Sequence, residues 1–100
     1  MNNKDIRKQI RDELRFKALK EFQARLPMSQ DQFKNLFDYL DLAFEHEKCN
    51  DDHALTIRFL NITGINNVED VIKWLTDHNG FCDCEVLANV EEQFEFLWHV

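Results

Sequence analysis

Apolar residues recur every three to four positions along almost the whole chain, and that period predicts helices. Over residues 4–25, Ile6, Ile10, Leu14, Ala18, Phe22 and Leu26 form a single i, i+4 row. Such a row creeps around an α-helix by about 40° per step, so its two ends face different directions and one end can project beyond the body. Pro27 closes this first helix. Ser29, with Gln32 three positions on, is a capping-box pattern that opens a second helix reaching about residue 47. There Phe33, Leu36, Phe37, Leu40 and Phe44 make one stripe, while Asp31, Asp38, Asp41 and Glu45 fall on the water side.

The run Lys48-Cys49-Asn50-Asp51-Asp52-His53 is polar and rich in turn formers. Asp51 or Asp52 is placed to cap a short third helix over 53–62, which Gly64 ends. Ala54, Leu55, Ile57, Phe59, Leu60 and Ile62 point nearly all round that helix, which predicts that it is the buried centre. Asn66 or Asn67 caps a fourth helix with the stripe Val68, Val71, Ile72 and Leu75 and with Trp74 at its edge; Gly80 is its stop. In the last segment Val86, Leu87, Val90, Phe94, Leu97 and Trp98 fit one helical face. Phe94, Phe96, Trp98 and Val100 also alternate as a strand does. The helical register accounts for more of the apolar residues, and a single strand has no partner to pair with.

These elements describe one domain over residues 1–100, a mainly α, small helical bundle of about five helices with the C-terminal segment as the one strand alternative. Composition agrees. Only 2 Gly and 1 Pro are too few for the turns of an all-β fold, and 44% hydrophobic with 31% charged residues is a globular balance. No apolar run approaches the ~20 residues of a membrane span. Met1-Asn2-Asn3-Lys4-Asp5 has no apolar signal core, so the expected compartment is the cytoplasm.

Charge divides the chain. Residues 1–25 carry eight basic side chains (Lys4, Arg7, Lys8, Arg11, Arg15, Lys17, Lys20, Arg25) against four acidic ones, whereas residues 26–100 carry four basic against fifteen acidic. With a net charge of −7 the body repels phosphate, and any nucleic-acid contact must run through the basic first helix. The plainer reading is that this helix packs on an acidic surface of its own chain, of a second copy or of a protein partner.

Three cysteines, Cys49, Cys82 and Cys84, cannot all pair within one chain, and reduced thiols are expected in the cytoplasm. Cys49 and His53 stand four apart and share a face when helical. Cys82 and Cys84 stand two apart and share a face only in an extended or turn conformation, so a common site requires the last helix to begin at or after Cys84. Cys49, His53, Cys82 and Cys84 are then the Cys₃His set of a closed structural zinc site. Buried structural thiols and a reactive pair are the alternatives. Asp51, Asp52, Asp83 and Glu85 are placed to accept a hydrogen bond from a ligating imidazole, and His78 is a substitute ligand or a group that supports one.

The run Val71-Ile72-Lys73-Trp74-Leu75, followed by Asn79-Gly80-Phe81-Cys82-Asp83-Cys84-Glu85-Val86-Leu87-Ala88-Asn89-Val90, resembles domain-of-unknown-function family 2695, as does the stretch from Cys49 to Leu60. The resemblance covers about the last half of the chain. It implies a small, stand-alone bacterial protein of the cytoplasm and brings no established activity.

The sequence holds no Gly-rich phosphate loop, no GxSxG and no HExxH, so a non-catalytic protein is expected. Nine Phe and two Trp are generous for this length and favour an interaction domain, associating with a protein partner or a second copy through the first helix. Nucleic-acid association through that same basic helix is the alternative function.

Overall fold

The computed structural model describes residues 17–98, and of 96–98 the backbone alone. The row Ile6, Ile10, Leu14, with Lys4, Lys8, Arg11 and Arg15 beside it, lies outside the described residues. The first helix, α1, runs over described residues 17–24 and ends before Pro27. It is followed by α2 (Gln30–Ala43), α3 (Ala54–Ile62) and α4 (Val68–Asp77). The last helix is continuous. Its α-helical start α5 (Asp83–Glu85) passes through a π-helical turn (Val86–Val90) into α6 (Glu91–Trp98). The protein is mainly α, with no strand among the described residues and helix through Trp98 where a strand was the alternative. No described helix is long and apolar enough to cross a membrane.

The second helix, not the third, is the centre. Phe33, Leu36 and Leu40 are fully buried and Phe37 nearly so. Its start is the expected capping box: Ser29 Oγ accepts from Gln32 N–H at 3.1 Å, and Gln32 Oε1 accepts from Ser29 N–H at 2.8 Å. The third helix is amphipathic. Leu55, Phe59 and Leu60 turn inward, but Ile57 is 38% and Ile62 70% exposed, because α3 lies on the outside of α2 instead of being wrapped by its neighbours. Trp74, expected at an edge, is buried; its ring meets Phe22, Phe33 and Phe94 at 5.0–6.0 Å between centroids. From α1 it is Leu19, off the i, i+4 row, that is buried, while Ala18 on the row is exposed.

Two helices end in the same way. Gly64 takes φ 74°, its N–H bonds Asn61 O, and Ile65 N–H reaches back to Leu60 O at 2.9 Å. At the end of α4 the left-handed residue is Asn79 (φ 72°), not the glycine, with Asn79 N–H on Thr76 O and Gly80 N–H on Leu75 O at 2.7 Å. Gly80 is needed for space. A Cβ there would stand 2.8 Å from Val90 Cγ2 and 3.1 Å from both Val86 Cγ2 and Leu75 O. Gly80→Ala is therefore expected to destabilise the fold by about 2 kcal/mol through overpacking, roughly 10 °C in melting temperature. Adding Val90→Ala should return part of the loss in a double-mutant cycle, and additive losses would show that the contact is not the cause.

The π turn has a packing role. Glu91 N–H bonds Val86 O, five residues back, where an α-helix would bond four back. Val86, Val90 and Phe94 are spaced by four and would creep around a regular helix; the wider turn absorbs the drift, and all three are fully buried.

Candidate metal centre

The site forms where the turn between α2 and α3 meets the start of α5. Cys49 lies in the irregular stretch before α3, and Cys82 and Cys84 flank the first residue of α5. Cys82 is extended (φ −152°, ψ 171°) and Asp83 is already helical, which turns both thiols the same way. The expectation that the helix begins at or after Cys84 is not met, since it begins at Asp83; an extended Cys82 just before the helix is enough to bring the two sulfurs together. The three sulfurs lie within 4.8 Å of one another, with Cys82 Sγ and Cys84 Sγ 3.2 Å apart. Zinc–sulfur bonds of about 2.3 Å at tetrahedral angles space sulfurs by about 3.8 Å. The cluster brackets that spacing, and three cysteines so placed can hold a metal ion. Cys82 is buried, Cys49 half-buried and Cys84 exposed, so the cluster opens to solvent on the Cys84 side.

Backbone donors are aimed at one of the sulfurs. Cys84 N–H donates to Cys49 Sγ at 3.4 Å, and Asp51, held at φ 60°, turns its own N–H toward the same sulfur. Burial pushes the Cys49 thiol up, but these N–H donors, with the thiols of Cys84 and Cys82, outweigh it and leave it below the ordinary thiol range. Hydrogen bonding to the Cys49 and Cys82 sulfurs, with a smaller contribution from burial, pushes the Cys84 thiol up to about 12. Of these two thiols, Cys49 therefore gives up its proton before Cys84. Limited iodoacetamide at pH 8 should therefore modify metal-free protein first at Cys49, as read by tandem mass spectrometry, despite the greater exposure of Cys84. First modification at Cys84 would reverse that order.

His53 stands at the start of α3 and is not within this sulfur cluster. Its Nε2 lies 2.6 Å from Gly80 O. A carbonyl accepts only, so Nε2 carries the proton and the lone pair of the neutral ring sits on Nδ1. His78 is at the far end of α4, stacked on Trp74 at 3.8 Å, with Nδ1 2.7 Å from Trp74 O.

The residue that sequence reasoning placed differently is Asp83. Instead of serving an imidazole, its buried carboxylate caps α3. Oδ2 accepts from Leu55 N–H at 2.9 Å, and Oδ1 accepts from Thr56 N–H at 3.0 Å and Thr56 Oγ1–H at 2.6 Å. His53, the residue in the N-cap position, makes no side-chain cap. Asp52 supplies a lesser local one, Oδ1 to Ala54 N–H at 3.1 Å. Asp83 N–H also donates to Asp52 O at 2.8 Å, so one residue fastens the Cys82–Cys84 segment to the segment that carries Cys49. The only sequence signal was an aspartate between two thiols. Farther along, Arg58 grips Glu47 through both terminal guanidinium nitrogens and donates from Nε to Tyr39 Oη at 2.6 Å. That bridge anchors the approach to Cys49, and its exposure limits it to a small contribution.

A family model described as "Protein of unknown function (DUF2695)" matches residues 36–89, which include all three cysteines and His53. The chain belongs to this family. Other relatives agree in scale and are equally silent on activity. Uncharacterized protein Rv2271 of Mycobacterium tuberculosis and uncharacterized protein Mb2294 of Mycobacterium bovis are each 32% identical over 73 residues, 73% of this chain and 73% of theirs. No solved structure matches. What the DUF2695 fold contributes here is a pair of chain segments, 33 and 35 residues apart in sequence, that bring thiols together at one end of a helical body.

Proposed function

We propose that this DUF2695 protein is a non-catalytic interaction domain of the cytoplasm, closed by a structural zinc ion on Cys49, Cys82 and Cys84, and that His53, which stands outside the sulfur cluster, swings its Nδ1 onto the ion as the fourth ligand. The observation that carries the reading is the convergence of three sulfurs from two distant segments, with a backbone N–H donor on the Cys49 sulfur, an arrangement suited to thiolates that share a cation. The hydrogen bond from His53 Nε2 to Gly80 O supports the fourth ligand, because it leaves Nδ1 with the lone pair, in the manner of carbonyl-oriented metal histidines. The absence of phosphate-loop and hydrolase motifs in the sequence supports the non-catalytic part.

Metal analysis of chelator-washed full-length protein, reloaded with zinc, is expected to give one zinc per chain with all three thiols shielded from a thiol reagent. His53→Ala should weaken zinc binding while retaining the thiol-bound ion. Freely reactive thiols and no retained metal would end the zinc reading, and unchanged affinity in His53→Ala would remove His53 from it. For association, deletion of residues 1–16 leaves Leu19 and Phe22 in place and is expected to abolish self-association or partner binding in sedimentation experiments. Retained association would place the interface elsewhere.

A further inference from the structure

The same cluster contains two thiols that differ sharply in access and nearly touch. Cys84 is exposed, Cys82 is buried, and their sulfurs are 3.2 Å apart. A disulfide needs about 2.05 Å, so closing the gap takes a shift of about 1 Å in two side chains. From this we infer that the centre is a peroxide-responsive switch in which Cys82 and Cys84 form a disulfide and discharge the metal; the inference rests on the metal reading above.

The chemistry balances with hydrogen peroxide as the oxidant. The Cys84 thiolate attacks the peroxide, the O–O bond breaks, and Cys84 becomes a sulfenic acid while hydroxide leaves. Cys82 thiolate then attacks the Cys84 sulfur; the S–O bond breaks, the S–S bond forms, and the departing oxygen takes a proton to leave as water. Two thiolates have lost two electrons, one peroxide has been reduced, and the zinc ion, left with Cys49 and His53, goes to solvent. A zinc ion would hold all three sulfurs as thiolates, so the order of proton loss in the metal-free protein no longer selects among them; the exposed Cys84 sulfur meets the oxidant and the buried Cys82 resolves it.

What the switch releases also follows from the contacts. Oxidation of the pair withdraws two of the cluster's three sulfurs from Cys49 and so loosens the stretch that approaches α3, residues 44–50. It leaves the Asp83 carboxylate on Leu55, Thr56 N–H and Thr56 Oγ1, and Phe33, Leu36 and Leu40 in the core. The fold survives and one surface segment is freed, which suits a reversible change of interaction surface.

The test uses zinc-loaded full-length protein treated with hydrogen peroxide, with zinc release followed by a chromogenic chelator and linkages mapped by tandem mass spectrometry. Zinc release should run in step with a Cys82–Cys84 disulfide, with Cys49 still alkylatable and helical circular dichroism retained. Cleavage at Glu45 and Glu47 by a glutamyl endopeptidase should rise by about tenfold or more, because proteolysis tracks the open population. Dithiothreitol with zinc should reverse all of this. Cys49→Ala should still form the disulfide and Cys84→Ser should not. Zinc held under peroxide, sulfinic acid on Cys84 without a disulfide, or linkage through Cys49 would each overturn the switch. A chain that never binds zinc would overturn the metal reading and the switch built on it, whereas a zinc-loaded chain inert to peroxide would overturn the switch alone.

Discussion

Asp83→Ala is expected to cost about 3–5 kcal/mol, a large share of the stability of a domain of this length. Three donors lose their acceptor at once: the N–H groups of Leu55 and Thr56 at the start of α3, and the Thr56 hydroxyl. Thr56 is fully buried, so its donors cannot turn to water instead. Each hydrogen bond to a charged group contributes about 1.5–3 kcal/mol, and leaving buried donors unpaired adds their desolvation cost. The carboxylate also faces the positive end of the α3 dipole, which favours its charge. Loss of this residue should lower the melting temperature by about 15 °C or more. Asp83→Asn discriminates between mechanisms. Its amide oxygen can keep Thr56, but its NH₂ confronts the Leu55 N–H donor, so about half of the loss should remain. An Asn variant as stable as the parent would mean that the carboxylate is not the cap.

Metal loading should have an effect of similar size and opposite sign. An ion that binds only the folded chain stabilises it by about 4 kcal/mol when free metal stands a thousandfold above its Kd. Zinc added to the metal-free protein should thus raise the melting temperature by about 15 °C, and a strong chelator should reverse it. Cys84→Ser should remove the increment while shifting the metal-free melting temperature little, because Cys84 is exposed. Differential scanning calorimetry on the four combinations of variant and metal reads this directly. Equal melting temperatures with and without zinc would show that the sulfurs gather without holding an ion.

The helices and the three thiols were legible because their signals are local or chemical. A 3.6-residue period marks α2 and α4, Ser29 and Gln32 mark a cap three residues long, and thiols are few enough that their grouping is a natural first guess. The parts that escaped depend on distance in sequence or on steric detail. Asp83 caps a helix 27–28 residues away, and nothing near α3 in sequence announces that its own N-cap, His53, is idle. Gly80 reads as a helix stop, yet Asn79 takes the left-handed turn and Gly80 makes room for Val86 and Val90. The apolar residues around α3 suggested a central helix because composition cannot say which side a neighbour occupies. Ile57 and Ile62 are exposed there.

The π turn at Val86–Val90 bears on how the chain tolerates changes of length. It holds about one residue more than a regular helix would use to cover the same path. Excising exposed Ala88 would respace Val86, Val90 and Phe94 to intervals of three and four, which an ordinary α-helix already places on one face. Asn89 and Gln93, whose amides hold the Asn79 and His78 carbonyls, lie beyond the cut and travel with α6 as a block. A shortened sequence can therefore preserve the core and both thiol-bearing segments, and this π turn is a place where the gene can lose a codon without losing the protein.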